Sequence, residues 1–467
     1  MDRSVCAEKL HLKWNYDYSR TLWMKMFLAR PDFANGRSEV LIDFEQALEI
    51  IKTVDNLTQG ILKIVYLVGW QGLGHDDCYP AMEVVNESLR RENDASAKDS
   101  LWWLFYEAKK YNTVVSVHGN VSDAVEFTPL WEDLIAANAI VCDLDGDPAV
   151  LQTLNGRKCF KTSYKQLWES GLFKSIIDRL CRVVPVLEAG TIHLDNFCIA
   201  ENLNPKTYLE EQDDARNKML DYLNTLGIDV TSEYTYREAH FRNESITHPN
   251  RKLYETAGED MTEVSWKDIP IRTLGKIPAT WWTSQVSAEE CVEIPASLYS
   301  GHLTDAELLK TFYGAMHGED IWMKYGIEKE KWAEEFLYQF CVLQLPYFYL
   351  NRFERQKIVR SKDSYIAYFS DGVTSSGEYG RITKNDAVLK NGDDVFLPLD
   401  DDNSVFIAYS KSGRSGLWDV PDADFIDCDL FEITAEGNIP FGKRKISDKK
   451  IDLSIRSGQA IVIKRAQ

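Results

Sequence analysis

The chain has 467 residues, 44% of them hydrophobic and 27% charged, and a formal net charge of −20. This length exceeds what one core usually takes and predicts a large domain followed by a smaller one. The composition is that of a globular protein in water and argues against a membrane protein. The negative charge argues against nucleic acid and anionic membranes as partners, because proteins bind phosphates largely through Lys and Arg.

The cysteines and the N-terminus indicate a cytoplasmic protein. Nine cysteines are scattered along the chain, and no C-x-x-C pair occurs among them. An odd, scattered set favours reduced thiols over a disulfide framework or a zinc ribbon. Met1–Leu10 mixes charged with apolar residues and lacks the apolar core of a signal peptide.

Short apolar runs alternate with amphipathic stretches from about Asn15 to Gln356, which is typical of repeated βα units. The pattern predicts a (β/α)8 TIM-type barrel with insertions over residues 1–356. The predicted strands are Thr21–Leu28, Leu62–Val68, Thr113–His118, Gly190–Asn196 and Ile228–Tyr234. The predicted helices are Asp43–Val54, Ser100–Lys110, Lys165–Val183 and Asn204–Leu226, with Gly227 at the end of the last.

The texture changes after Lys357 to short alternating strands separated by Gly, Asp, Asn and Ser. Residues 357–467 are therefore predicted to form a small C-terminal antiparallel β domain, a β-sandwich. Its predicted strands are Ser364–Tyr368, Val405–Ser410, Leu430–Ile433 and Ala460–Ile463.

Polar side chains follow four of the predicted barrel strands, at the end where a barrel carries its functional groups. They are Trp70, His75 and Asp76 after the second strand, His118 and Asn120 after the third, His193, Asp195 and Asn196 in the fourth, and Glu233 and Tyr234 in the fifth.

Two of these residues are carboxylates on successive strands. Alternation places His193 and Asp195 on one face, and likewise Thr231 and Glu233, with each acid nearer the barrel mouth. Cleavage of a glycosidic bond needs such a pair: one group attacks or stabilises the anomeric carbon, and the other protonates the leaving oxygen. The sequence therefore predicts a two-carboxylate glycoside hydrolase.

The strand-end motifs resemble, in order, those of endo-α-N-acetylgalactosaminidases of glycoside hydrolase family 101 and of the related intracellular α-N-acetylgalactosaminidases of family 129. The resemblance implies a retaining mechanism with Asp195 as nucleophile and Glu233 as acid/base. Tyr234 stands where the family has Trp. The segments are Val65–Pro80 (VYLVGWQGLGHDDCYP), Val114–Ala124 (VVSVHGNVSDA), Thr191–Phe197 (TIHLDNF) and Leu226–Tyr234 (LGIDVTSEY).

The resemblance also implies a substrate with α-linked N-acetylgalactosamine or galactose, such as an O-glycan or glycopeptide, and neither metal nor cofactor. The residues implied to contact the sugar are His75, Asp76, His118, Asn120, His193, Asn196 and Tyr234, with Trp70, Trp281 and Trp282 as candidates to stack on its apolar face.

Alternative readings stay open. His75, His118 and His193 at strand ends are compatible with a metal-dependent barrel hydrolase, although no H-x-H or H-E-x-x-H pair occurs. A non-catalytic carbohydrate-binding barrel would use the same strand ends. The stretch Cys142–Pro148 (CDLDGDP) imitates the D-x-D-G of haloacid-dehalogenase phosphatases, but Pro follows it and it lies well inside the chain, so we expect a loop acid cluster.

Overall fold

The computed structural model describes residues 15–17, 20–154, 156–195, 197, 200–232, 263–265, 319–350, 352–353, 355–360, 365–376 and 380–466. Within these ranges, no helix combines the length and the apolar character needed to cross a lipid bilayer.

The N-terminal half is organised around a parallel sheet with the strand order β1-β4-β5-β9-β12. Each strand is paired in parallel with the next one in that order, as expected of βα units. The strands of this half are β1 (Leu22–Phe27), β2 (Ala29–Asp32), β3 (Arg37–Val40), β4 (Lys63–Val68), β5 (Thr113–Gly119), β6 (Asp123–Val125), β7 (Val150–Leu154), β8 (Arg157–Lys161), β9 (Thr191–Leu194), β10 (Asn202–Leu203), β11 (Lys206–Thr207) and β12 (Asp229–Ser232).

Helices connect the parallel strands. The first begins at a capping box, in which Asp43 accepts from the Gln46 backbone while the Gln46 side chain accepts from the Asp43 backbone. Gly190 and Gly227, both at positive φ, end the helices before β9 and β12. The helices are α1 (Phe44–Leu57), α2 (Ala97–Ala108), α3 (Trp131–Ala136), α4 (Tyr164–Glu169), α5 (Leu172–Val183), α6 (Val186–Ala189), α7 (Leu209–Thr225), α8 (Glu319–Tyr325), α9 (Lys329–Gln339) and α10 (Leu345–Leu350).

One face of the parallel sheet is apolar because alternate side chains of every strand are aliphatic. Met24, Val65, Val115, Ile192 and Val230 lie on this face and belong to the main hydrophobic core, together with the buried sides of the helices. The burial of this face fixes the register, since a slip by one residue would turn polar side chains toward the helices.

Three excursions leave the carboxyl ends of neighbouring strands. The hairpin β2–β3 follows β1, a loop over residues 69–86 follows β4, and the small antiparallel sheet β6-β8-β7 follows β5. Gly69 and Gly74 allow the loop to approach the hairpin, because a Cβ at Gly69 would lie 2.0 Å from the Ala29 carbonyl oxygen.

The C-terminal part is antiparallel. Eleven strands of the described ranges form one sheet in the order β13 to β20, then β25, β22 and β23, and β21 pairs with β24 beside it. The strands are β13 (Glu263–Ser265), β14 (Arg355–Arg360), β15 (Tyr365–Phe369), β16 (Val373–Ser376), β17 (Arg381–Lys384), β18 (Ala387–Asn391), β19 (Asp394–Pro398), β20 (Val405–Ser410), β21 (Arg414–Asp419), β22 (Asp427–Thr434), β23 (Gly437–Lys445), β24 (Lys450–Ile455) and β25 (Gln459–Arg465).

The parallel sheet and the antiparallel C-terminal sheet agree with the predicted fold class. Within the described ranges the parallel sheet has β1 and β12 at its edges and does not close, so the eightfold barrel stays a prediction, as does the domain boundary at 356/357. The single helix predicted over Lys165–Val183 is wrong. It is two helices, α4 and α5, because Gly171 adopts a φ of 77° between them.

Candidate active site

The face of the parallel sheet opposite the helices carries polar side chains. The Tyr66 hydroxyl contacts the Thr191 hydroxyl at 2.7 Å, and the Ser116 hydroxyl donates to the Thr191 carbonyl. Two rows follow the strand register: Lys25, Tyr66, Ser116, Thr191 and Asp229 below, and Phe27, Val68, His118, His193 and Thr231 above, nearer the carboxyl ends.

Asp195 comes directly after β9, above the second row. Its backbone N–H donates to the Gly119 carbonyl at 2.8 Å, which fixes the position where the strand ends. The carboxylate Oδ2 lies 3.7 Å from His118 Nε2 and 3.5 Å from Asn120 Nδ2, and the residue is only 9% exposed. Strand pairing thus brings together three of the predicted site residues.

Asn120 is held by a network that leaves one orientation for its amide. Its Oδ1 accepts from the backbone N–H groups of Ser122 and Asp123, each at 2.9 Å. The Nδ2 group must therefore face the acids, and it donates to Asp123 Oδ2 at 3.0 Å. Asp123 is in turn paired with the buried Lys161 at 3.2 Å. Ser122 and Asp123 therefore orient the Asn120 amide toward Asp195.

The three predicted histidines lie ring against ring. The His75 and His118 ring centroids are 5.2 Å apart, and those of His118 and His193 are 5.3 Å apart. His193 Nδ1 is 2.7 Å from the Thr231 hydroxyl. Burial, reinforced by the nearby charge of Lys25, lowers the pKa of His118 to about 3. His118 is therefore neutral near pH 7 and offers Asp195 an uncharged neighbour.

His75 and Asp76 lie together in the loop after β4. His75 Nε2 is 3.6 Å from Asp76 Oδ2, and both side chains are mostly buried. Asp76 adopts a left-handed backbone with a φ of 61°, a conformation that short polar residues tolerate. Burial, with the charges of Asp195 and Asp123 added, raises the pKa of Asp76. Asp76 consequently holds a proton at higher pH than an ordinary Asp.

Trp70 occupies a different environment from the one expected of a sugar-stacking residue. It is fully buried, and its indole N–H donates to the His118 carbonyl at 2.8 Å. In this arrangement its ring supports the strand beneath His118 and presents no face to a ligand.

The other predicted site residues lie outside the described ranges. They are Asn196, Glu233, Tyr234, Trp281 and Trp282.

Two buried lysines that were not predicted from the sequence, Lys25 and Lys161, complete the site. Lys25 is 1% exposed on β1, and its charge acts on both His118 and Asp76. A Lys inside the apolar run Leu22–Phe27 indicates a polar environment on one face of the strand, because lysines are almost never fully buried unless they are paired. Lys161 behind Asp123 carries the same signal in a weaker form.

Two alternatives can be compared with this geometry. The described residues include no group of three or more His, Cys, Asp and Glu side chains arranged to hold a metal ion. In the stretch Cys142–Pro148, the Asp143 carboxylate accepts from the backbone of Asp145 and Asp147, and the Asp143 N–H donates to the Asp147 carbonyl, which closes a surface turn.

No model of a known protein family matches the chain, and no curated protein matches it in sequence. Among solved structures, the GalNAc complex of α-N-acetylgalactosaminidase NagBb from Bifidobacterium bifidum overlaps 78% of this chain and 58% of its own, at 14% identity and a TM-score of 0.43. The α-amylase of Geobacillus thermoleovorans in complex with acarbose overlaps 97% of this chain and 99% of its own, at 9% identity and a TM-score of 0.41.

The α-galactosidase TtGalA from Thermus thermophilus, in complex with p-nitrophenyl α-D-galactopyranoside, overlaps 47% of this chain and 39% of its own, at 11% identity and a TM-score of 0.29. The chain thus spans 58% of the length of the NagBb structure. These TM-scores are too low to define a shared fold.

The arrangement offers a carboxylate at a strand end, held by an amide, beside a neutral imidazole and close to an acid whose pKa is raised. Such a carboxylate can attack or stabilise an electron-poor carbon. The partly exposed His75 imidazole and Asp76 carboxyl can form hydrogen bonds with hydroxyl groups.

Proposed function

We propose that this chain is a retaining glycoside hydrolase that cleaves α-linked N-acetylgalactosamine or galactose, with Asp195 as nucleophile and Glu233 as acid/base. The observation that carries the proposal is the setting of Asp195. Its carboxylate lies at the carboxyl end of a parallel strand, within 3.7 Å of His118 and 3.5 Å of Asn120. On a sheet of this kind, ligands bind at that end of the strands.

The role of Glu233 is supported by the pairing of β9 with β12. Thr231 is in register with His193, and Glu233 and Asp195 each come two residues later in the sequence. Two residues along a strand return to the same face. A retaining mechanism requires its two carboxyl groups about 5–5.5 Å apart, so the proposal requires this separation of Asp195 and Glu233.

The proposed reaction has two steps. Asp195 attacks the anomeric carbon of the α-glycoside as the glycosidic bond breaks, and Glu233 gives its proton to the departing oxygen. The resulting β-linked ester is then hydrolysed by a water molecule whose proton Glu233 takes, which releases the sugar in the α configuration and regenerates both groups. His75 and Asp76 would hold sugar hydroxyls, while the buried His118 and Asn120 would position the Asp195 carboxylate.

The choice of sugar rests on the four strand-end motifs, which resemble those of families 101 and 129. The first experiment is hydrolysis of a panel of nitrophenyl glycosides: α-N-acetylgalactosaminide, α-galactoside, β-galactoside and the α-linked Gal-β-1,3-GalNAc disaccharide. We expect release from α-linked members only, and the disaccharide separates endo from exo action. Binding of these sugars without release would favour a carbohydrate-binding protein instead.

Azide rescue then separates the two acids by the configuration of the product. In Asp195→Gly, azide takes the place of the nucleophile and yields the β-glycosyl azide, whereas in Glu233→Ala it attacks the glycosyl-enzyme and yields the α-glycosyl azide. Asp214→Asn, at an exposed position on α7, is the control and keeps wild-type rates. Wild-type rates in either active-site variant would contradict the role proposed for that residue.

A further inference from the structure

The three excursions from β1, β4 and β5 meet beside His75 and Asp76. The His75 N–H donates to the Ala29 carbonyl at the start of the hairpin, at 2.9 Å. From the other side, the Thr128 hydroxyl donates to the Cys78 carbonyl at 2.6 Å. The loop that carries His75 and Asp76 is therefore enclosed by the hairpin and by the segment that follows β6, and together they form a rim.

Phe127 stands on this rim in an unusual state. Phe127 is 74% exposed, although burial of an aromatic ring away from water is favourable. Its backbone has a φ of 70°, in the left-handed region that bulky residues avoid. Neither the exposure nor the backbone conformation lets Phe127 stabilise the fold. Backbone strain of this kind concentrates at functional sites.

Arg157 lies between Phe127 and a second ring on the hairpin. Its guanidinium carbon is 3.6 Å from the centroid of Phe33 and 5.6 Å from that of Phe127. Its Nη1 group donates to Asp77 Oδ1 at 3.1 Å. Stacking and this bond together fix the plane of the guanidinium.

Asp77 connects the rim with the candidate active site. Its second oxygen accepts from the Leu73 N–H at 2.9 Å, and the residue is 3% exposed, so its position is fixed. It is also the next residue after Asp76, which places the two Cα atoms about 3.8 Å apart. Arg157 is thus linked to the candidate sugar-binding residue Asp76 through its ion pair with the next residue, Asp77.

We propose that Phe33, Arg157 and Phe127 form a subsite for a neutral sugar ring on the leaving-group side of the scissile bond. The inference rests on the proposed function and adds to it the part of the substrate that lies beyond the cleaved sugar. The exposed face of Phe127 can stack on the C–H face of a pyranose, and the N–H groups of Arg157 can donate to its hydroxyls.

Charge favours a neutral ring over an acidic group. Asp77 already balances the charge of Arg157, and the whole chain carries a net charge of −20. An anionic ligand at this rim would meet a compensated guanidinium and an overall repulsive field. A hydroxyl-bearing ring needs only the fixed donors and the aromatic face.

The test compares two substrates that contain the same sugar to be cleaved and differ in the leaving group. One is the α-glycosyl fluoride, whose leaving group is too small to reach the rim, and the other is the α-linked disaccharide with a neutral sugar as leaving group. We expect Phe127→Ala to lower the ratio of kcat/KM for the disaccharide to kcat/KM for the fluoride by roughly fivefold, the scale of one aromatic contact. Phe127→Trp should retain the ratio, because an indole also stacks.

Phe127→Gly separates the ring from the backbone. Glycine adopts a φ of 70° without strain, so this variant should unfold at the same or a higher temperature and still lose the ratio. Tyr106→Ala is the matched control, since Tyr106 on α2 is 44% exposed, lies beside Lys109 and is away from the rim. A ratio that stays within twofold in Phe127→Ala while the wild type cleaves both substrates overturns the subsite alone. A wild type that cleaves neither overturns the proposed function and the subsite with it.

Discussion

His118 shows how one residue can be held neutral at the centre of a polar site. It lies between the rings of His75 and His193 and 3.7 Å from Asp195, yet burial and the charge of Lys25 outweigh the attraction of that carboxylate. A proton on His118 would have to remain buried beside another cation. The neutral imidazole leaves the charge of Asp195 available for reaction.

The lowered pKa of His118 predicts a loss of stability in mild acid. The folded-state pKa of about 3 lies below the ordinary histidine value of 6.5, so the unfolded chain binds a proton that the folded chain does not as the pH falls below 6.5. We expect this group to reduce the free energy of unfolding by about 2 kcal/mol between pH 7 and pH 5. Urea denaturation at several pH values measures it.

His118→Gln is the comparison for this prediction, because it removes the imidazole and keeps a polar side chain. The free energy of unfolding of the variant should depend less on pH between 7 and 5 than that of the wild type. Identical pH dependence in the two proteins would show that His118 is protonated in the folded chain near its ordinary pKa.

The sequence was informative about the site where a side chain follows a strand. His118, Asn120, His193 and Asp195 were predicted from their place at strand ends, and the structure brings them together. Lys25 was missed because it lies inside a strand, where the linear pattern does not show which face is turned to the site.

The small sheet β6-β8-β7 is the element that positions Asn120. Asp123 on β6 and Lys161 on β8 are partners in the strand register as well as an ion pair, with 5% and 0% exposed side chains. A buried pair contributes little when intact, but the loss of one partner leaves the other charge buried and uncompensated. The sheet therefore holds the turn that orients Asn120 only while both charges are present.

Lys161→Met should lower the free energy of unfolding by about 3 kcal/mol. The double variant Lys161→Met, Asp123→Asn should recover part of this loss, because the amide removes the charge and still accepts from Asn120. Lys158→Met, at an exposed position on the same strand, is the control. Equal losses in the single and double variants, measured by urea denaturation, would contradict the pair's role.

Elements were predicted well where apolar periodicity is strong and poorly where it is not. The strand predicted over Val405–Ser410 agrees with β20, and β1, β4 and β5 agree within a residue at each end. The sheet β6-β8-β7 and the hairpin β2–β3 were not predicted. Their strands are short, and much of β3 and β7 is exposed, so they lack the alternation by which a strand is recognised.

One hydrophobic core extends from the parallel part into the antiparallel part of the described chain. Buried residues of α1, α9 and the C-terminal sheet, among them Leu48, Phe336 and Ile407, belong to a single cluster. Hydrogen bonds reinforce this contact: the Asn56 side chain donates to the Ala435 carbonyl at 2.9 Å. Apolar contact of this extent couples the stability of the parallel and antiparallel parts.

We expect a single calorimetric unfolding transition for the full chain. Ile407→Ala, a cavity in β20, should lower its midpoint and shift near-ultraviolet circular dichroism and tryptophan fluorescence together. Ile439→Ala on β23, where the residue is 54% exposed, should shift the midpoint far less. Two resolved transitions, of which Ile407→Ala moves only one, would show that the parts fold independently.

The parallel and antiparallel parts were predictable because such strands leave different patterns: continuous apolar runs separated by helices, and short alternating runs separated by turns. The break between α4 and α5 was not, because Gly171 ends a helix through its backbone conformation and leaves the apolar periodicity on both sides intact.

Asn15 forms hydrogen bonds with residues that are synthesised much later in the chain. Its backbone N–H donates to the Asp229 carboxylate at 3.0 Å, across 214 residues of chain, and its side chain donates to the carbonyls of Gly190 and Gly227. During synthesis at about 5–20 residues per second, these partners emerge roughly 10–40 s after Asn15. For that time Asn15 and Tyr16, which precede β1, lack the Asp229 carboxylate to which both donate in the folded chain.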